Sequence, residues 1–376
     1  MFLLKKLINF FYKSLIILII TFFISLIIDY FLGKKILNLL DGYLVKTEFY
    51  GRLLRMDNSI YHHGFMPNVN YKNNIGFEGK FTICTNNHGF RDSCDKKNVS
   101  KNFDIGFMGD SFVEGYSVNF EESFVGIFSE NRRNLKIANL GVSSYSPKIF
   151  YSKLNYLLSE GFKFKEIIFF IDISDLYDDN VNYKLNEDLT ISEIDFKNKG
   201  LKRRKFLRTN FPLTNFYMYV LKKNRQLNNL KKESPEKNVN PIFNEKVNFK
   251  AEWTYYNESN HPEYMGSIEE SQQNLINIMS EIYLMLKKNK IQMSIAVYPW
   301  PHQLKNDDVN SKHVIMWEKF CKTKCNNFIN YFPFFFNEKE KSSFLEVYKK
   351  YYFWNDVHFN KTGNQLIANK LLDIFN

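Results

Sequence analysis

The longest apolar run lies near the start of the chain, where residues 15–32 read LIILIITFFISLIIDYFL and only Thr21, Ser25 and Asp29 interrupt the hydrocarbon character. A helix over 8–32, at about 1.5 Å per residue, reaches across the roughly 30 Å of a bilayer's hydrocarbon layer. No small-x-small cleavage pattern follows the run. The sequence therefore predicts a signal anchor, a transmembrane helix at 15–32 behind an N-terminal tail at 1–14, rather than a cleaved leader. Residues 41–100 are rich in Asn, Gly, Tyr and His, with short alternating stretches such as 78–85, and predict a β-rich lead-in.

From Asp104 the pattern changes. Apolar runs at 104–109 (DIGFMG), 136–141 (KIANLG), 166–172 (EIIFFID), 291–299 (IQMSIAVYP) and 328–332 (FINYF) alternate with helical periodicity near 123–131, 147–160, 267–288, 311–324, 338–351 and 362–375. Runs apolar on both faces and separated by helices predict an α/β fold: a three-layer α/β/α sandwich around a central parallel sheet, occupying 101–376. A polar insertion at 178–262 interrupts the alternation. It holds the basic stretch KNKGLKRRKFLR at 197–208, read as a solvated face or a site for lipid headgroups or anionic polysaccharide, and a helical stretch at 211–224. There is no internal repeat.

Charge adds little. The formal net charge is +11, but the lysines are spread along the chain and no zinc-finger, helix-turn-helix or RNP pattern accompanies them, so nucleic acid is not expected as a partner. The four cysteines form two close pairs. Bridges Cys84–Cys94 and Cys321–Cys325 are the simplest of three connectivities; a four-cysteine zinc site is the rival, disfavoured because neither pair has C-x-x-C spacing. Lys5, Lys6 and Lys13 plus the amino terminus, against Lys34, Lys35 and Lys46, slightly favour an inside N-terminus, and the cysteine pairs point the same way, placing residues from about 40 onward in the periplasm or outside the cell.

Chemistry concentrates at the carboxyl ends of the predicted strands, where loops vary freely. The first ends in GDSFVEG (109–115), which sets Ser111 at a sharp strand-to-helix turn whose N–H groups can stabilise an oxyanion. The second ends in NLGVSSYS (139–146), where Gly141 lets an N–H approach a substrate oxygen. The third runs into Asp172, Ile173, Ser174 and Asp175. Before the last helix stands WNDVHFNKTG (354–363). A serine hydroxyl needs an imidazole to take its proton, and the imidazole needs a carboxylate. Asp356 and His358, two apart in an extended segment, would point to one side and supply both. His62, His63, His88, His261, His302 and His313 are read as inert. The acidic cluster Asp172, Asp175, Asp178 and Asp179 lacks the spacing of a known metal loop, so neither metal nor cofactor is expected.

With these blocks in order, 104–375 resembles the SGNH hydrolase superfamily, the GDSL-like esterases and lipases, whose fold is flavodoxin-like. The resemblance implies Ser111 as nucleophile and first oxyanion donor, Gly141 as second donor, and Asp356 and His358 as acid and base. Two departures stand out. Ser174 occupies the place of the family's oxyanion-hole Asn, so its hydroxyl is the expected third oxyanion donor, with a nearby Asn or a slow enzyme as the alternatives. The acid lies two residues before His358 rather than three, where Asn355 stands, a spacing similar to that of the alginate O-acetylation proteins. YPWPHQ (298–303) resembles a loop of membrane-anchored SGNH proteins from polysaccharide clusters, in which Trp300 is a candidate sugar platform. The resemblance implies an esterase removing O-acetyl or other acyl groups from an extracytoplasmic polysaccharide. The alternatives are an O-acetyltransferase on the same glycan and a non-catalytic glycan-binding or assembly protein with a degenerate site.

Overall fold

The computed structural model describes residues 2–44, 55–194, 206–207, 210–218, 221, 250–255 and 267–375. The chain divides into two compact units, one of 1–49 with 195–239 and one of 50–194 with 240–376. In the first, helix α1 runs Phe2–Leu44. It contains an apolar stretch, Asn9–Gly33, of 25 residues with mean hydropathy 2.7, long and apolar enough to cross a membrane. Most of the stretch read as a tail is thus helical, because Phe2–Lys13 has no Gly or Pro to stop the helix.

The second unit opens with two antiparallel hairpins, β1 (Arg55–Asn58) with β2 (His62–Phe65) and β3 (Asn70–Ile75) with β4 (Lys80–Cys84). The central sheet follows: β5 (Asn102–Met108), β6 (Ile137–Asn139), β7 (Lys163–Ile171), then, after the small hairpin β8 (Tyr183–Leu185) and β9 (Ile191–Glu193), strands β10 (Gln292–Val297) and β11 (Phe328–Asn330). Every pairing in this sheet is parallel and the order is β11-β10-β7-β5-β6. Numbered along the chain, its strands lie in the order 2-1-3-4-5 of the flavodoxin-like fold, as the resemblance implies, and the parallel sheet is the one the apolar runs predict. The switch point falls between β5 and β7, because the chain leaves β5 toward one edge and β7 toward the other.

Among the described residues the unit also holds the α-helices α2 (Ser111–Glu114), α3 (Phe124–Asn131), α4 (Pro147–Ser159), α5 (Asp175–Tyr177), α6 (Ile268–Lys288), α7 (Pro301–Asn306), α8 (Lys312–Lys324), α9 (Phe332–Lys341), α10 (Phe344–Tyr351) and α11 (Lys361–Ile374). Helix α3 packs against α11, and α4 against α6. The stretch expected as one helix over 338–351 is two, since Ser343 turns the chain and caps α10 through the Glu346 N–H. Aromatic rings fill the core beneath the site: Phe107 against Phe128 at 5.4 Å and Phe124 stacked on Phe170 at 4.6 Å. Both cysteine pairs are bridged, Cys84–Cys94 and Cys321–Cys325, which leaves no thiolate for a zinc site. The first bridge closes the loop carrying Arg91, which pairs with Asn139 and so covers the exposed edge of β6.

Candidate active site

The site is assembled at the carboxyl ends of β5, β6 and β7 and from the loop before α11. Asp110, just past the end of β5, caps α2, its Oδ1 accepting the Phe112 N–H at 2.9 Å. That cap leaves Ser111 at the first helical position, where its own N–H has no carbonyl four residues back. Ser111 Oγ lies 2.7 Å from His358 Nε2 and 3.2 Å from Asp110 Oδ2. Gly115, at φ 75°, ends the turn in the left-handed region, which a side chain disfavours.

On the other side of the imidazole, His358 Nδ1 is 2.5 Å from Asp356 Oδ1. The segment is not extended as expected. Tyr352 and Phe359 bridge across its base, Asn355 turns it at φ 59°, and Asp356 Oδ1 also accepts the His358 peptide N–H at 2.9 Å. Asn tolerates the left-handed region better than most residues, which is what that position offers. Tyr348 locks the loop by donating its hydroxyl to the Phe353 and Asp356 carbonyls. Phe112 and Tyr116 flank the ring with centroids at 4.9 and 4.8 Å. Burial pushes the His358 pKa down, but the charge and hydrogen bond of Asp356 outweigh it and leave the value raised. Asp110 moves well above the usual carboxylate range, first by burial and then by the nearby Asp172.

The three residues expected to form a triad are therefore brought together; the expected oxyanion donors are not arranged alike. The Gly141 N–H donates to Asn139 Oδ1 at 3.0 Å, and Asn139 is fixed in turn by donating to the Val113 carbonyl at 2.8 Å. Ser174 departs from expectation: both its N–H and its hydroxyl donate to Asp172 Oδ1, at 2.7 and 2.8 Å, so neither is directed at an acyl oxygen. Trp300 departs as well. It is 4% exposed and its indole N–H donates to Asp172 Oδ2 at 2.9 Å, so the ring is packing and a carboxylate donor rather than a sugar platform.

Sequence reasoning missed a brace. Glu114, three residues after Ser111 on the same turn, accepts the Ser143 N–H at 2.6 Å and the Ser143 hydroxyl at 2.8 Å, tying the nucleophile's helix to the Gly141 loop. Arg55 of β1 pairs with the same carboxylate at 2.6 Å and donates to the Ser143 hydroxyl oxygen. Burial would raise the Glu114 pKa, but Arg55 and the Ser143 donors hold it below the usual range. His63 contacts the Ser143 carbonyl at 2.9 Å, and the buried Lys153 donates to the Leu140 carbonyl at 3.0 Å; burial pushes that ammonium's pKa down to about 7. The acid at helical spacing inside GDSFVEG was the available signal for the brace. His302 and His313 are buried and His63 is half-buried, and desolvation lowers each to about 4. His63 supports the Ser143 loop through that contact; His261 lies outside the described residues.

A serine, an imidazole and a carboxylate in hydrogen-bonded line at the switch point of an α/β sandwich form the arrangement of serine hydrolases that cleave esters by acyl transfer. No family model matches the chain, and no curated protein matches it. Among solved structures it is similar to a lipolytic protein of the G-D-S-L family from Veillonella parvula, at 11% identity over 72% of this chain and 97% of that one, with TM-score 0.41. It is also similar to an acetylxylan esterase from Geobacillus stearothermophilus (9%, 72% and 93%, 0.38) and a psychrotrophic esterase from Pseudoalteromonas (11%, 73% and 96%, 0.34). Scores and identities this low carry no weight for the chemistry, which rests on the geometry.

Proposed function

We propose that the chain is an SGNH-type serine esterase, anchored in a membrane by α1, that removes O-acetyl or other acyl groups from an extracytoplasmic polysaccharide. The observation that carries this reading is the line Ser111 Oγ, His358, Asp356, with steps of 2.7 and 2.5 Å. His358 Nε2 takes the Ser111 proton as Oγ bonds to the acyl carbon. The ring then passes that proton to the departing sugar oxygen, leaving an acyl ester on Ser111. Water, deprotonated by the same nitrogen, attacks the ester; acid leaves and Ser111 recovers its proton. Asp356 keeps Nδ1 protonated and offsets the imidazolium charge. The Ser111 N–H is the donor best placed for the oxyanion.

Two disulfides support an oxidising compartment and hence an extracytoplasmic domain. The division proposed along the chain is a tail at 1–14, a span at 15–32, a lead-in at 41–100 and a catalytic domain at 101–376 with its insertion at 178–262. Fluorophosphonate labelling is the direct test: wild-type protein is expected to label and Ser111→Ala to remain unlabelled. A second reading, a glycan-binding protein with a degenerate site, is favoured by the commitment of Gly141 and Ser174 to partners other than substrate. Folded wild-type protein that fails to label would establish it over the esterase. Deleting the gene is expected to raise glycan acetyl content; a fall would replace hydrolysis by transfer to a sugar hydroxyl.

A further inference from the structure

Asp29 sits about four residues, or roughly 6 Å of helix, before the end of the apolar stretch at Gly33. An ionisable group at that depth is costly unless its oxygens are satisfied, and Asp29 is only 2% exposed. Its partners come from the insertion. Oδ1 accepts the Leu213 N–H at 2.8 Å and Oδ2 the Thr214 N–H at 2.7 Å. These are the second and third positions of a helical segment at 212–218, which opens with Pro212 and is preceded by Phe211, a residue with no capping oxygen. Asp29 thus supplies from α1 the cap that the segment's own sequence lacks. Tyr30 meets Phe211 at 6.0 Å, and a Cβ on Gly33 would come within 2.9 Å of the Pro212 ring, so this glycine permits the approach.

The docked segment presents Tyr217 and Met218 at 62% and 44% exposure, with Leu221 at 50% and Phe206 at 57% beside it in sequence. Asp29 fixes the start of this segment beside the C-terminal end of the apolar stretch of α1. In the sequence the segment is flanked by Lys202, Arg203, Arg204 and Lys205 and by Lys222, Lys223 and Arg225, which lie outside the described residues.

We propose that this segment is a second membrane contact: it lies in the interfacial layer at the C-terminal end of the span, fastened there by Asp29, and buries Phe206, Tyr217, Met218 and Leu221 among lipid. Basic residues on both sides of an interfacial aromatic face suit anionic headgroups. The inference rests on α1 spanning a bilayer, and the test separates the two.

There is no free cysteine among the described residues, so single cysteines can be spin-labelled in the full chain. The chain is reconstituted in vesicles of phosphatidylcholine and phosphatidylglycerol, and collision with oxygen, which concentrates in lipid, is compared with collision with a water-soluble nickel chelate. Labels at Leu18→Cys, in the span, and Ile315→Cys, exposed on the catalytic unit, serve as references. Tyr217→Cys and Leu221→Cys are expected to show an oxygen-to-nickel ratio several-fold above that of Ile315→Cys, and Asp29→Leu to bring it back toward that value while Leu18→Cys stays lipid-exposed. A nickel-dominated signal at 217 and 221 with Leu18 in lipid overturns the proposal and leaves the span. Protection from both probes also overturns it, since a protein then covers the face. A water-exposed Leu18 overturns the anchor itself.

Discussion

The peptide N–H of Gly141 points at the side chain of Asn139, 3.0 Å away, although Gly141 stands where the second oxyanion donor is expected. An acyl oxygen developing negative charge accepts a stronger hydrogen bond than a neutral amide does. A phosphonate adduct on Ser111 is therefore expected to draw the Gly141 N–H from Asn139 to the phosphonyl oxygen, as read in a crystal structure of the adduct. If that N–H stays on Asn139 in the adduct, Gly141 is no oxyanion donor. Gly141→Ala is the companion experiment: its Cβ would lie 2.6 Å from Val113 Cβ and 2.7 Å from the Glu114 nitrogen, so a loss of about 1–3 kcal/mol in stability is expected by denaturant unfolding.

The pH profile follows from His358. The imidazole must be neutral to take the Ser111 proton, and its pKa is raised above 6.5. Activity is then lost as pH falls through that raised value, so the acid limb of kcat/KM is expected above pH 6.5. The stability linked to this group has the opposite sense: it is full below about pH 6.5 and is lost as pH rises through the folded-state value. Asp356→Asn is expected to lower kcat by about 10⁴ and to move the limb downward. An unshifted limb in the variant would assign the pKa to another group.

How far the chain was legible is seen best at these same positions. The five apolar runs became the five parallel strands because a strand buried on both faces needs little but apolar residues, and 104–109 and 291–299 announce themselves. Ser111, His358 and Asp356 were legible because each block carries its residues within a few positions of one another. The partner of Trp300 was hidden: its indole donates to Asp172, a buried carboxylate following β7. A carboxylate's choice of donors is set by tertiary placement, and residues 128 positions apart leave no local pattern. The Arg55 to Glu114 pair was hidden likewise by a separation of 59 positions.

Trp300 supplies a prediction from that correction. Trp300→Phe keeps a ring against Phe112 but removes one donor from a buried carboxylate, which costs about 1–3 kcal/mol. Thermal or denaturant unfolding is expected to register that loss, with KM for an acetylated oligosaccharide unchanged. A several-fold rise in KM at unaltered stability would restore the ring as a substrate platform.

The Glu114 brace ties stability to geometry, and its two consequences separate cleanly. Glu114→Gln keeps the side chain's size but removes the charge that holds Arg55 and the Ser143 N–H, each a charge-assisted contact. About 2 kcal/mol of stability is expected to go, since hydrogen bonds to charged groups are worth roughly that much. The pKa of Glu114 is lowered on folding, so its contribution is present above its unfolded value of about 4.3 and disappears as pH falls through the lower folded value. The variant's stability curve should accordingly be flatter on the acid side. For catalysis, the brace touches no reacting atom and acts by holding the Gly141 loop against α2. Its loss is expected to lower kcat by at least tenfold with little change in KM, because a misplaced donor weakens the transition state more than the ground state. Equal losses of kcat in Glu114→Gln and in an unrelated variant of matched stability would reduce the brace to packing, and Arg55→Met, which removes the charge from the other side, should then leave kcat untouched.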